Sequence, residues 1–315
     1  VLIAALPLFG ASGSSGPLII GLVGALSGPK TPYGKSQEQG ATLAIAEINQ
    51  AGGIHGRPIR LLIHDDKGTP GEVGSIAVSL ADNEKVLAII GSTDSGCTHV
   101  LSMVAVKTHV PHITCIATDP SLTRAGTPWT FRTLADDISQ AGALVQWLKS
   151  EKNRGPIGVL AAPSRYGKIG ARTVARLARN SGFQVTGPLV MSVKELSDSI
   201  REVLKEKSSI IVLWGLVDDG LEAIRELRKQ GYSGLICGGD GLASPAFFAQ
   251  KTVPVEGVVV TCPYDLQEDS PANWKFREAF RKRFSTEPDS FSAHSYDTMN
   301  LLAQALKNSD GTRSG

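Results

Sequence analysis

The sequence lacks an excess of charge of either sign, and this absence excludes two classes of partner. Its 315 residues include 32 Lys and Arg and 30 Asp and Glu, so the formal net charge is +2, and the basic residues are spread along the chain. A protein that binds nucleic acid or docks on an anionic membrane surface usually carries a concentrated basic patch. The sequence therefore predicts a globular protein with neither partner, long enough for two domains with sizeable cores.

Cysteine is scarce, and no two cysteines form a Cys-x-x-Cys pair. All four lie at or near apolar segments that we predict to be strands: Cys97, Cys115, Cys237 and Cys262. Four small buried thiols are therefore favoured over disulfides. Three disulfide pairings stay open if the protein is exported, because an oxidising compartment permits them.

The chain contains none of the common motifs of nucleotide-binding or catalytic proteins. It has no P-loop, and the glycines between Gly21 and Gly28 do not have dinucleotide-binding spacing. Ser95 lies in the stretch TDSGC, which differs from the GxSxG motif of hydrolases. His109 and His112 have the spacing of metal ligands, but the proline between them indicates a loop. The sequence predicts no catalytic residue, no metal site and no cofactor.

Long hydrophobic runs are also missing. The N-terminal stretch VLIAALPLFGASGSSG pairs a short apolar run with small residues, and the run is too short to span a bilayer. This pattern is typical of the end of a secretory signal peptide, with a disordered tail as the alternative. We therefore expect residues 1–17 to be a signal-peptide remnant or tail, and the protein to be exported.

Apolar strands alternate with helical segments along the rest of the chain. Leu18–Gly24 reads as a strand without polar alternation, as expected when both faces of a sheet are covered. The βαβ repetition predicts an α/β fold of two doubly wound parallel-sheet lobes. The lobes would be joined by a multi-crossing hinge whose first two crossings are 119–133 and 262–271. The predicted domains are 18–136 with 265–315 for lobe I, and 137–264 for lobe II.

Polar residues follow several predicted strands, where open α/β sheets bind ligands. Ser95 would begin a helix after one strand, and Thr118 follows the next. Hydroxyls and helix-end N–H groups suit a small carboxylate. Asp240, in the GGDG stretch of the second lobe, can pair with an ammonium group. An α-amino acid carries both charges and would link the lobes, although helix caps and tight turns are alternative uses of these side chains.

Three aromatic residues also fall near strand ends and can line a side-chain pocket or lid: Tyr33, Tyr166 and Trp214. The predicted helices nearby begin at Lys35 and Ile169, so both tyrosines would lie in loops, with Tyr166 exposed at a loop tip. The adjacent Asp65 and Asp66 would point to opposite faces of a strand. They are therefore expected to form loop hydrogen bonds rather than an acid–base pair.

The ordered set of these stretches resembles a known family. IIGLVGALSGPKTPYGK, AIIGSTDSGCTHVLS, VPHITCIATDPSLTRAGTPWTFRT, APSRYGK and PANWKFREAFRKRF are similar to segments of the periplasmic leucine/isoleucine/valine-binding proteins. These are the substrate-binding components of branched-chain amino-acid ABC transporters. The resemblance covers about residues 18–306 and implies the type I periplasmic binding fold, a non-enzymatic role, a periplasmic location, a permease partner in the membrane and a monomer.

The resemblance also implies a set of ligand contacts. Ser95 and Thr118 would bind the ligand carboxylate, Asp240 would pair with the ammonium, and the backbone at Ile116 and Ala117 would lie against the ligand.

Tyr33 and Tyr166 match the family's aromatic residues, whereas Val217 stands where relatives often carry an aromatic side chain. The side-chain specificity is therefore open. The expected solute is a small hydrophobic or aromatic amino acid. Urea, a short amide or an aromatic acid in the same fold is an alternative, as is a ligand-sensing regulatory domain.

Overall fold

The computed structural model describes residues 16–126, 128–151, 155–192 and 195–313. Nearly all of the predicted signal-peptide remnant lies outside the described residues. Two parallel sheets organise the described chain, and the first precedes the second in the sequence.

Each sheet has five strands with helices between them. The first sheet contains β1 to β5, at Leu18–Gly24, Ile59–Asp65, Ala88–Gly91, His112–Thr114 and Thr130–Arg132. The second contains β6 to β10, at Ile157–Ala161, Val185–Val190, Ile210–Trp214, Leu235–Gly238 and Val259–Val260. All their pairings are parallel. The α/β fold class with two parallel sheets is confirmed.

The helices connect these strands. They are α1 to α11, at Thr31–Gln50, Pro70–Val78, Ser95–Thr108, Ser121–Arg124, Asp137–Ser150, Arg165–Asn180, Leu196–Lys205, Val217–Lys229, Pro245–Phe248, Pro271–Phe284 and Ser290–Lys307. A π-helical turn, Ser79–Asn83, extends α2, and a 3-10 turn, Asp240–Leu242, follows β9.

The two sheets share one strand order. The first runs β2-β1-β3-β4-β5 and the second runs β7-β6-β8-β9-β10. In each sheet, the second strand of the chain pairs on one side of the first strand, and the third strand pairs on its other side. This reversal makes a switch point between β1 and β3, and another between β6 and β8, where a crevice opens beyond the strand ends.

Burial explains why the central strands have no polar alternation. Ile20 and Leu22 on β1 are fully buried because β1 lies between β2 and β3, and helices cover both faces of the sheet. The last helix, α11, packs on α1, where the Ser295 hydroxyl donates to the Gln37 carbonyl oxygen at 2.7 Å. The C-terminal helices are therefore tied to the N-terminal sheet, while the domain limits given above remain a prediction.

Several helices begin up to one turn earlier than the sequence pattern predicts. The first starts at Thr31 rather than Lys35, because Pro32 in its first turn already has helical φ. The one predicted to start at Ile169 begins at Arg165, where the Ser164 side chain caps the helix. Both tyrosines predicted to lie in loops therefore lie in first helical turns.

Other differences concern short strands and one cysteine. The segment 119–133, predicted to be only a connection, contains α4 and the edge strand β5, which is too short to show a periodic pattern. Three of the cysteines are buried free thiols, but Cys262 is exposed because it lies beyond the end of β10, in the predicted second crossing.

We predict that α1 and α11 are packed too closely for a side chain at Gly40. A Cβ atom there would lie 2.1 Å from the Ser292 carbonyl oxygen. Gly40→Ala should lower the free energy of unfolding by about 1–3 kcal/mol, because the helices would have to separate. Urea denaturation measures this loss.

Gly142→Ala on α5 is the matched control. A Cβ atom at Gly142 would meet no atom of the described chain within 4 Å, so the substitution should stabilise the helix by about 0.5–1 kcal/mol. Equal urea midpoints for the two variants would contradict the close contact.

Candidate ligand-binding site

A cavity lies between the two sheets, beyond the carboxyl ends of their strands. Its walls include residues that follow β1, β3, β6 and β8, the strands at the two switch points. It leaves about 20 Å³ for the centres of water-sized molecules, which is room for about one water. Hydroxyl, carboxyl and apolar side chains line it: Tyr33, Thr93, Asp94, Ser95, Ile116, Ala117, Tyr166, Leu216, Asp240, Gly241 and Phe291.

Three hydroxyl groups of the first sheet have unused hydrogen-bonding capacity here. Thr93 and Ser95 follow β3, and Thr118 follows β4 beside the cavity-lining Ala117. Their side-chain oxygens are buried and have no hydrogen-bond partner among the described residues. Buried polar groups are normally paired, so three such hydroxyls in adjacent loops are suited to binding a polar ligand.

The N-terminus of α3 contributes less than the sequence suggests. The Asp94 carboxylate caps this helix by accepting from the N–H groups of Gly96 at 2.8 Å and Cys97 at 3.3 Å. Asp94 is itself paired with Lys30, whose Nζ lies 2.9 Å from Oδ2. An anion would therefore contact the hydroxyl of Ser95 rather than these two capped N–H groups.

Asp240 lies on the opposite wall, in the turn after β9. Its side chain is 3% exposed, and its Oδ1 accepts a hydrogen bond from the Tyr166 hydroxyl at 2.8 Å. Burial raises the pKa of Asp240, while hydrogen bonds from Tyr166 and Gln140 act in the other direction. A cation brought to this carboxyl would favour its ionised form.

Tyr166 is buried, and not exposed at a loop tip as predicted. It lies in the first turn of α6, and its hydroxyl accepts from the N–H of Gly241 at 2.9 Å while donating to Asp240. Burial and the neighbouring Asp240 raise the pKa of Tyr166 well above its usual range. The phenol therefore stays protonated and holds the acid in place.

Tyr33 joins the two sheets directly. Its hydroxyl donates to the Gly241 carbonyl oxygen at 2.7 Å and accepts from the Val217 N–H at 3.0 Å. Its ring contacts Phe291 edge-on, with centroids 5.0 Å apart. A residue of α1, which follows the first strand of the first sheet, thus satisfies two backbone groups that follow β8 and β9 of the second sheet.

A polar network at the cavity rim makes a second link between the sheets. Asp119 follows β4, and its Oδ2 lies 2.6 Å from Nε of Arg165 on α6. The same oxygen lies 3.0 Å from Nε2 of His99 on α3. These contacts and hydrogen bonds lower the pKa of Asp119 despite the opposing effect of burial.

Comparison with known proteins identifies the family. The profile of the periplasmic binding protein family matches residues 17–315. The chain belongs to this family. A Leu/Ile/Val-binding protein homologue from Brucella abortus is 31% identical over 98% of this chain and 82% of its own length. Membership of a family of binding proteins supports the prediction that the chain is not an enzyme.

Two solved structures share the architecture. LivJ, a branched-chain amino acid transporter substrate-binding protein of Streptococcus pneumoniae in complex with isoleucine, is 27% identical, has a TM-score of 0.83 and is covered to 86%, with 94% of this chain aligned. A solute-binding protein of an ABC transporter from R. palustris, in complex with benzoate, is 20% identical with a TM-score of 0.84, over 95% of this chain and 83% of its own. The predicted type I periplasmic binding fold is confirmed.

In this periplasmic binding protein, six of the eight residues predicted from the sequence line the cavity: Tyr33, Ser95, Ile116, Ala117, Tyr166 and Asp240. Thr118 lies next to the lining. Trp214 does not line the cavity, because it is the last residue of β8 and its indole is fully buried behind Tyr166, with ring centroids 6.3 Å apart. Their roles as ligand contacts remain predictions.

Five lining residues were not singled out by the sequence analysis: Thr93, Asp94, Leu216, Gly241 and Phe291. Thr93 lies within the GSTDSGCT stretch, and Leu216 follows β8, so the strand-end rule could have found both. Phe291 comes from α11, far along the chain, and has no such signal. The adjacent acids behave as expected: Asp65 accepts from the Lys67 N–H at 2.9 Å and Asp66 from the Gly68 N–H at 2.8 Å.

The described part of the chain contains no cluster of three His, Cys, Asp or Glu side chains that could hold a metal ion. The side chains that line the cavity carry hydroxyl, carboxyl and apolar groups.

Tyr33→Phe should weaken the link between the sheets. The change leaves the Val217 N–H and the Gly241 carbonyl without the hydroxyl, which should lower the free energy of unfolding by about 1–3 kcal/mol. Small-angle X-ray scattering should also show a larger radius of gyration, because closure loses two hydrogen bonds.

Tyr296→Phe is the control, since the Tyr296 hydroxyl bonds Glu47 within the first sheet's helices at 2.6 Å. It should leave the scattering curve unchanged. If Tyr33→Phe and Tyr296→Phe give identical scattering, Tyr33 does not control closure.

Proposed function

We propose that this protein captures a small hydrophobic α-amino acid between its two lobes and delivers it to an ABC permease. The observation that carries the proposal is that the two sides of the cavity present different polar groups. Hydroxyls without partners in the described chain lie on the first lobe, and a buried carboxyl lies on the second. An α-amino acid presents a carboxylate and an ammonium on one carbon, so it can satisfy both walls at once.

The first lobe suits the carboxylate end. The hydroxyls of Ser95 and Thr118 can each donate one hydrogen bond to a carboxylate, and charge-assisted bonds of this kind are among the stronger ones in proteins. Lys30 would supply no direct counter-charge, because it is paired with Asp94. The carboxylate would thus be held by neutral donors.

The second lobe suits the ammonium end. The Asp240 carboxyl accepts from Tyr166 and retains lone pairs for a cation. The side chain of the ligand would meet Ile116, Leu216 and Phe291, which are apolar and line the same cavity. This wall favours a small aliphatic or aromatic side chain, in agreement with the names of the relatives.

Capture would proceed by closure of the lobes. The cavity leaves room for about one water centre, so the lobes must separate to admit an amino acid. A ligand that contacts both lobes binds the closed state more tightly than the open state, and this difference in affinity stabilises the closed state.

An aromatic acid is the second candidate, because a neighbour of the same fold binds benzoate. Such a ligand would bond the hydroxyls of the first lobe but would offer no cation to the buried Asp240, so the second lobe would add no charged contact to its binding. The acid on the second lobe therefore favours an amino acid. Urea or a short amide would leave the same carboxyl uncompensated.

The partner and location follow from the family. Relatives are periplasmic binding proteins of transporters, and we propose a periplasmic monomer that docks on membrane-embedded permease subunits. Across the described residues, none of the helices has the length and apolar character needed to traverse a bilayer.

Calorimetric titration with leucine, isoleucine and valine tests the function. The wild type should bind at least one of them, and Asp240→Asn should weaken binding by about 2–5 kcal/mol, because the ammonium loses its charged partner. Ser95→Ala should cost about 1–3 kcal/mol, since one bond to the carboxylate is lost. Ser150→Ala, at an exposed position on α5, is the control and should bind as the wild type does.

Isocaproate, which is leucine without its amino group, separates the two candidates. It should bind much more weakly than leucine to the wild type. Equal affinity for leucine and isocaproate would contradict the amino-acid proposal and favour an organic acid. An unchanged affinity of Asp240→Asn for leucine would do the same.

A further inference from the structure

A second buried acid, Asp137, lies next to the hydroxyl residues of the candidate site. Asp137 is the first residue of α5, its side chain is 0% exposed, and its N–H donates to the Thr118 carbonyl oxygen at 2.9 Å. Neither of its carboxyl oxygens has a hydrogen-bond partner within the residues that the structure describes. A buried carboxylate in this condition is expensive, so the group needs either a proton or a cation.

The neighbours of Asp137 belong to the candidate site. The Thr118 hydroxyl and the Trp214 indole N–H point toward its carboxyl and act to lower its pKa, but neither makes a hydrogen bond of normal geometry with it in the described chain. Asp240 acts on it electrostatically, as a like charge. Trp214 in turn packs against Tyr166, with ring centroids 6.3 Å apart, and Tyr166 donates to Asp240. Asp137 and Asp240 therefore belong to one buried polar cluster.

Other charged groups around the pair are already engaged. Arg132 on β5 bonds the Asp119 carbonyl oxygen at 2.8 Å and reaches the Asp136 carboxylate at 3.4 Å. Asp119 is paired with Arg165, and Tyr166 on α6 donates to Asp240.

The charged groups around Asp137 act on it in opposite directions. Asp119 adds negative charge near Asp137, whereas Arg132 adds positive charge. The start of α5 also favours an anion through its dipole. Burial, followed by Asp240, nevertheless raises the pKa of Asp137 well above its usual range. Burial likewise raises the pKa of Asp240.

We propose that Asp137 and Asp240 form a carboxyl pair that holds one proton in the free protein and releases it to solvent when a ligand's ammonium group binds. Two desolvated carboxyls close together cannot both ionise readily, so one keeps its proton. An incoming ammonium supplies the missing positive charge, and the proton leaves to the buffer. No covalent bond is made or broken apart from the O–H bond of that carboxyl.

This inference rests on the proposed function and adds a selection rule to it. The ammonium group of an amino acid replaces the proton one for one, so the net charge at the two acids is unchanged, while the carboxylate of the ligand goes to the hydroxyls of the first lobe. A ligand with a carboxylate and no cation adds negative charge next to two acids. Asp137 is therefore a specificity residue that favours amino acids over organic acids of the same shape.

The sign of the pH dependence follows from the exchange. Binding favours the ionised pair, so the pKa of the pair is lower in the complex than in the free protein. Below the raised pKa of the free pair, the ammonium group must displace a proton in order to bind. The affinity for the ligand therefore falls by up to about tenfold for each pH unit below that pKa. Above that pKa the affinity is independent of pH.

Titration calorimetry of the full chain tests the exchange without any substitution. Leucine is titrated at several values from neutral to mildly acidic pH, each in two buffers with different ionisation enthalpies, and the difference in heat gives the protons released per ligand. At the acidic end, leucine and isoamylamine should each release close to one proton. Isocaproate, which has no amino group, should release none.

Asp137→Asn assigns the proton to the pair. It removes one carboxyl with little change of shape, so leucine should still bind through Asp240, but the proton release and the acidic loss of affinity should disappear. Asp198→Asn makes the same chemical change at an exposed residue of α7 and should keep both. Thermal melting of each variant verifies its folding.

The outcomes separate the two proposals. Leucine binding by the wild type without proton release overturns the exchange and leaves the transport function standing. Proton release that persists in folded Asp137→Asn, or that isocaproate also causes, overturns it as well. If the wild type binds no amino acid at all, the proposed function fails, and the exchange fails with it.

Discussion

The site depends on one constraint, which is that the fold holds the Asp240 carboxyl away from water. Such a group is stable only where its surroundings supply hydrogen bonds or charge. Tyr166 supplies the bond, and the GGDG turn lets it approach, since a Cβ atom at Gly239 or Gly241 would lie 2.7 and 2.8 Å from atoms of the Tyr166 side chain. The glycines around Asp240 are therefore part of the acid's environment and not merely turn formers.

The two lobes share a topology but differ in chemistry. Both have the same strand order and present their switch points to one cavity, so the architecture alone would make a symmetric cleft. The sequence breaks the symmetry by placing hydroxyls after β3 and β4 and an acid after β9. Tyr33 then crosses the gap and bonds the turn that carries the acid, which couples the closure of the lobes to the geometry of the ammonium wall.

Much of this arrangement could be predicted from the sequence because the strand-end rule needs only the order of strands. The rule places Ser95, Tyr33 and Asp240 at one crevice, and all three line the cavity. Trp214 lies outside the cavity lining, because the last side chain of a strand can point into the packed face instead of the crevice.

The strand-end rule could not predict features that depend on tertiary packing. Phe291 enters the cavity from α11, and no local pattern marks that contact. Asp137 reads in the sequence as half of an acidic pair at a helix start, where the ordinary role is capping. Asp136 fills that role by accepting from the Ser139 N–H at 2.9 Å, and only the fold shows that Asp137 is buried next to Thr118.

If the hydroxyls and Asp240 bind the ligand as proposed, their placement on opposite lobes favours one class of ligand. A carboxylate alone, or an amide alone, can be satisfied by one wall, and it then gives the lobes little reason to stay together. A zwitterion divides its two charged groups between the lobes, so each bond that it makes on one side is lost if the other side opens. The hydroxyls belong to the first lobe and Asp240 to the second. The contacts that would bind an amino acid are therefore the same contacts that would stabilise the closed state.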